Sequence, residues 1–162
     1  MRGKQAPKRV IAPDPKYHNT IVAKFINYVM YGGKKTIAQK IVYDALETAQ
    51  EKSGMPALDI FDTALKNVMP IMEVKGRRIG GANYQVPIPV RGERKYSLTF
   101  RWIIGAARHK KGRSMASKLA EEFVAAVNKE GDAMKKRNDV HRMAEANRAF
   151  AHFARFGGKR RT

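Results

Sequence analysis

Cysteine is absent from the 162-residue chain, which excludes disulfides and thiolate metal sites. Acidic residues are scarce: 14 Asp plus Glu stand against 33 Lys plus Arg, a net charge of +19. Charge repulsion on this scale destabilises a compact chain unless a polyanion neutralises it. The partner is therefore a nucleic acid or an anionic membrane. Long apolar runs are missing as well. No stretch approaches the roughly 20 residues of a membrane span, and the N-terminus lacks the apolar region of a signal peptide. The expectation is a soluble intracellular protein. No internal repeat of solenoid length is visible. A chain of this size can bury roughly 68–70% of its extended surface, so a single domain with a real core is expected over residues 1–162.

The positive charge is segregated along the chain. Residues 34–66 hold five basic and five acidic groups, and residues 119–134 hold one basic and four acidic. The surplus lies in residues 1–16, 67–95, 96–118 and 135–162, the last with nine basic groups to two acidic. Neutral helices with basic ends, arms and connectors suit a scaffold that presents phosphate-binding charge.

Periodicity predicts a mainly α protein with six helices. Residues 1–18 carry Pro7, Pro13 and Pro15 among basic side chains and read as an extended arm. Ile21, Val22, Phe25, Ile26, Val29 and Met30 follow helical spacing, stopped by Gly32-Gly33. Thr36 with Gln39 reads as a capping box opening a second helix with Ile37, Ile41, Val42, Ala45, Leu46 and Ala49 inward. A third helix runs from about Pro56 to Met69, with Leu58, Phe61, Leu65 and Val68 as its stripe, and Pro70 stops it. A fourth is expected over about 92–109. Ser114 caps a fifth through Val127, and a sixth starts at Gly131-Asp132.

Between the third and fourth helices, residues 75–95 read KGRRIGGANYQVPIPVRGERK. Residues 71–79 and 84–90 are expected to be two strands joined by a turn at 80–83. Tyr84, Val86, Ile88 and Val90 share one face, and Pro87 and Pro89 the other. The prolines' missing N–H groups would point to one edge, which then cannot accept another strand. The expectation is an isolated, protruding two-stranded antiparallel ribbon over 71–91, with the helical body at 19–70 and 92–148. Residues 149–162 form a tail. Phe150, Phe153 and Phe156 fall at three-residue spacing, which fits a helix end on the core or aromatic contact with RNA.

In the fourth helix Arg94, Arg101 and Arg108 recur every seven residues and form one basic stripe, because the drift is only about 20° per step. Tyr96, Phe100, Ile103, Ile104 and Ala107 lie opposite, as core. Leu98 and Trp102 fall nearer the arginines; Trp102 reads first as core and second as a base-stacking residue. The candidate phosphate contacts are Arg2, Lys4, Lys8 and Arg9 in the arm, and Lys34 and Lys35 before the second helix. Lys75, Arg77, Arg78 and Arg91 belong to the hairpin. Arg94, Lys95, Arg101, Arg108, Lys110, Lys111 and Arg113 belong to the fourth helix and the turn after it. Lys135, Lys136, Arg137 and Arg142 belong to the sixth helix.

Catalytic readings fail on spacing. GGKKT at 32–36 superficially matches a P-loop, but Tyr28 stands where the first glycine is required. His141 and Glu145, one helical turn apart, lack an evident third metal ligand. No Ser-His-Asp set, paired-carboxylate site or cofactor motif emerges. The expectation is no enzyme, no cofactor and no metal. Two rival readings are a helical DNA-binding regulator and an RNA-modifying enzyme.

PDPKY at 13–17, AKFIN at 23–27, Gly33-Lys34-Lys35, Ile41-Val42, Ala45 and KKRNDVHRMAEANRAFAH at 135–152 recur in order over most of the chain. In this set the chain resembles the bacterial-type small-subunit ribosomal protein S-seven family. The resemblance implies six helices with a hairpin between the third and fourth. It implies direct binding to the 3′ major domain of small-subunit ribosomal RNA and nucleation of the subunit head. It places the hairpin toward exit-site transfer RNA and the messenger path, with small-subunit proteins nine and eleven as neighbours. It implies a place in the ribosome, cytoplasmic or organellar, with no membrane and no homo-oligomer.

Overall fold

The computed structural model describes Pro7 and residues 9–157. Its order is α1 (Thr20–Val29), α2 (Lys35–Ser53), α3 (Ala57–Val68), β1 (Met72–Ile79), β2 (Ala82–Pro89), α4 (Glu93–His109), α5 (Met115–Val127) and α6 (Asp132–Ala146). A 3-10 helix, Arg148–Gly157, follows. The mainly helical class and the hairpin between α3 and α4 are as the sequence predicts.

Local chemistry sets several boundaries. Asn19 caps α1, its side chain accepting from Ile21 N–H at 2.7 Å, and Ser114 caps α5 by accepting from Ser117 N–H at 3.3 Å. These caps satisfy amides that the first turn leaves unpaired. The expected capping box at Thr36 and Gln39 is not formed. Helix α2 starts at Lys35 with Lys34 at the cap position and no side-chain cap. Ile37 is not inward but 55% exposed; Ala38 takes the buried position one residue later.

Four phenylalanines from four helices meet at the centre. The Phe25 ring lies 5.5 Å from Phe61, 5.3 Å from Phe100 and 5.7 Å from Phe123, and Phe61 lies 5.8 Å from Phe123. Three of these four pairs are edge-to-face, a favoured arrangement worth about 0.5–1.5 kcal/mol each beyond area burial. Helix α2 packs along α5. Both bury alanines (Ala38, Ala45 and Ala49; Ala120 and Ala126), and small side chains allow close approach.

The hairpin pairs Met72 with Pro89 through Ile79 with Ala82, so the turn is two residues, Gly80-Gly81. Both have positive φ, +57° and +89°, the requirement of the turn that matches strand twist. Val90 N–H donates to the Ile71 carbonyl at 2.9 Å. Even-numbered β2 residues therefore face β1, and Pro87 and Pro89 sit on the outer edge as expected.

The ribbon is not isolated, which corrects the sequence reading. Strand β1 packs on α6, and β2 packs on the 3-10 helix. Tyr84 meets Phe150 at 5.1 Å and Phe153 at 5.3 Å between ring centroids. Arg77 donates to the carbonyls of Phe153 and Ala154 at 3.3 and 3.5 Å. Val86 and Pro87, on opposite faces, are both buried. A lone hairpin is marginal in water; here both faces are partly covered.

Candidate nucleic-acid interface

The predicted cations divide by what they touch. Arg2, Lys4 and Lys8 lie outside the described residues. Several others have partners within the chain. Glu73, 8% exposed, receives Arg94 in a two-pronged contact at 3.0 and 3.1 Å and Lys75 at 2.9 Å. Burial pushes the Glu73 carboxyl up, but the hydrogen bonds and charges of Lys75 and Arg94 outweigh it and hold it below the usual carboxylate value. Arg94 thus fastens the hairpin base to α4 instead of standing in a free stripe with Arg101 and Arg108.

Lys110 sits 2.9 Å from Oε2 of Glu122, which is 0% exposed. Glu122 Oε1 accepts from Ala133 N–H at 2.8 Å. The ammonium does not lie on a hydrogen-bonding line to Oε2, so that contact is charge to charge. Gly131 completes the cradle: its φ is +91°, and a Cβ there would meet Glu122 Oε1 at 2.9 Å. This carboxylate therefore ties the turn after α4 to the start of α6. Arg113 pairs with Glu121, Arg142 with Asp139 at 3.0 Å, and Arg137 donates to the Asn67 carbonyl.

The remaining candidates are Arg9, Lys34, Lys35, Arg78, Arg91, Lys95, Arg101, Arg108, Lys111, Lys135 and Lys136. None of their side chains has a hydrogen bond or ion pair with the described residues, and all but the half-buried Lys95 are exposed. They come from the arm, the α1–α2 turn, the hairpin, α4 with its following turn, and α6. Arg101 and Lys136, from different helices, border one recess between α4 and α6. Lys34 and Lys35 stand beside Tyr31, which is 86% exposed. Sequence reasoning passed over Tyr31, although a tyrosine immediately before GGKK was the available signal.

The sequence also missed Asp14, 2% exposed in the basic arm. Its carboxylate accepts from Lys16 N–H and Tyr17 N–H, both at 3.1 Å, and from the Tyr43 hydroxyl at 2.7 Å. The arm is therefore docked on α2 from this point. Burial, reinforced by Asp14, pushes the Tyr43 hydroxyl up to about 12. A lone acid between Pro13 and Pro15 was the legible clue.

His141 accepts from Ile71 N–H at 3.1 Å through Nε2. Burial and then the Arg137 charge push this imidazole down, in keeping with the acceptor role. Among the described residues no group of three His, Cys, Asp or Glu side chains could hold a metal. No helix among them is long and apolar enough to cross a membrane.

Cations without partners among the described residues come from five parts of the chain around a core of packed aromatic rings, an arrangement that suits a scaffold for a polyanion. The chain belongs to the family described as ribosomal protein S7p/S5e, which it matches over residues 1–148. It is 58% identical over 153 residues to small ribosomal subunit protein uS7 of Thermotoga maritima, covering 94% of this chain and 99% of that one. It is 54% identical over 149 residues to the uS7 protein of Moorella thermoacetica, covering 92% and 96%. With that of Nautilia profundicola it shares 53% over 153 residues, covering 94% and 99%. The chain is thus a ribosomal, RNA-binding protein of translation, structural and not enzymatic.

Proposed function

We propose that this chain, a structural protein of the small ribosomal subunit, binds the 3′ major domain of the subunit's ribosomal RNA directly and nucleates folding of the head. The observation that supports this is the set of cations, on separate parts of the fold, that have no partner among the described residues. Each neutralises a phosphate and releases counterions. Because the core fixes their separations, one RNA junction fits them and others do not. The hairpin lies near exit-site transfer RNA and the messenger path, and small-subunit proteins nine and eleven are the neighbours. The protein works in the ribosome, cytoplasmic or organellar, without forming a homo-oligomer.

The test is binding of the full chain to a transcript of the 3′ major domain. An equally long transcript from another ribosomal RNA domain and duplex DNA serve as competitors. If about 6–10 phosphates are engaged, affinity falls by a factor on the order of 10³ or more from about 50 to 200 mM salt. A flat salt response, or equal competition by duplex DNA, refutes the reading.

A further inference from the structure

We propose that the recess between α4 and α6 receives an unpaired nucleobase of the bound RNA. This rests on the RNA-binding reading above and assigns a base contact within it. The recess has a volume of about 460 Å³, within the range of small-ligand clefts. Trp102, Gly105 and His109 line it from one face of α4, and Asp132 and Lys136 line it from the first turns of α6.

The recess brings an indole, an imidazole and a carboxylate together with two cations, whereas the turn before α2 offers only Lys34 and Lys35 beside the exposed Tyr31. Trp102 is partly buried against the core, so its ring is held in place, and aromatic rings are platforms for bases. Gly105 has no heavy atom within 4 Å of where a Cβ would stand. The helix surface beside the indole is therefore open to a flat ring. His109 Nδ1 lies 2.7 Å from the Gly105 carbonyl, an acceptor only, so Nδ1 carries the proton and Nε2 remains for a ligand. Arg101 and Lys136 are exposed at the rim and suit the phosphates on either side of an inserted nucleotide.

Asp132 decides between base and phosphate. It is exposed and has no ion pair or side-chain hydrogen bond among the described residues. In the first turn of α6 it complements the helix dipole, which accounts for its charge but not for its place in the recess. A carboxylate repels phosphate and accepts hydrogen bonds from the amino edge of a base. The site therefore fits a base bearing an exocyclic amine.

Trp102 is the only tryptophan in the chain, so emission excited at the red edge of indole absorption, where tyrosine does not absorb, reports this site alone. Saturating the intact protein with the 3′ major domain transcript is expected to quench Trp102 and to reduce its accessibility to acrylamide. The variant Gly105→Leu fills the recess without altering charge, and leucine favours a helix more than glycine does. It should bind about tenfold or more weakly, as expected for loss of one stacked base. The salt slope should be unchanged and the quenching absent. Asp132→Asn should also weaken binding. Unchanged tryptophan emission at saturation, wild-type affinity in Gly105→Leu, or tighter binding by Asp132→Asn overturns the inference. Each of these leaves the proposed function standing if wild-type binding remains steep in salt and specific for the transcript.

Discussion

Replacing Lys110 by methionine tests whether this lysine belongs to the fold or to the RNA surface. The change keeps most of the length and the apolar stem of the side chain and removes its charge. It leaves Glu122, 0% exposed, with only the Ala133 N–H as partner among the described residues. Removing one member of a fully buried ion pair costs about 3–5 kcal/mol. The Lys110 side chain is 29% exposed, so water already screens part of the attraction, and about 2–3 kcal/mol is the expected decrease in stability. For a domain of this size that lowers the melting temperature by roughly 5–10 °C. The double change Lys110→Met with Glu122→Gln should recover most of it, because the Gln carbonyl still accepts from Ala133 and carries no charge. Thermal and urea melting followed by helical circular dichroism, without RNA, reads both variants. Lys111→Met is the control: exposed and partnerless, it should melt like wild type. If Lys110→Met melts within about 2 °C of wild type, the ion pair is not structural and Lys110 returns to the phosphate-binding set.

Arg94→Gln should lower stability by about 1 kcal/mol, the scale of a partly exposed but two-pronged pair. Arg101→Gln with Arg108→Gln should leave melting unchanged, yet weaken RNA binding and flatten its salt slope by about 0.9 for each phosphate no longer neutralised. Equal melting of Arg94→Gln and wild type would restore the three-arginine stripe. Tyr43, pushed up to about 12 from 10.0, should contribute stability that is complete below pH 10 and disappears as pH rises through about 12. Above its ordinary value the unfolded chain's tyrosine ionises first and favours unfolding. Burial pushes the Tyr17 hydroxyl up as well, so spectroscopic titration should show more than one late phenol, the latest of which titrates earlier in Asp14→Asn; identical titration in the two proteins would discount the Asp14 contact.

Helix existence was legible because the apolar period is regular and the boundaries are chemical: Ser114, Pro70 and the glycines. What the sequence hid was tertiary partnership. A seven-residue repeat puts Arg94, Arg101 and Arg108 on one face, but it does not reveal Glu73 across the hairpin base. HKKGR reads as uniformly basic, yet Lys110 meets Glu122 and Arg113 meets Glu121 from the next helix. The three-residue period of Phe150 and Phe153 signalled packing but not its target, which is Tyr84 on the hairpin and not the main core. Ile37 misled because an apolar residue one place from a buried alanine satisfies a loose helical period as well as the correct one does.

The contact between the hairpin and the 3-10 helix also fixes an order of events during synthesis. Arg77 emerges 76 residues before Phe153, whose carbonyl it holds. At about 5–20 residues per second, the strands wait roughly 4–15 s for the segment that covers them. During that interval Tyr84 and Val86 lie bare on a ribbon too small to be stable alone, in a cell crowded with other nascent chains. Pro87 and Pro89 already deny its outer edge the N–H groups another strand would need. The two prolines therefore act earliest of all, guarding an unfinished chain, and replacement of Pro89, which is exposed in the finished fold, would show first as aggregation of newly made protein while the completed fold stays stable.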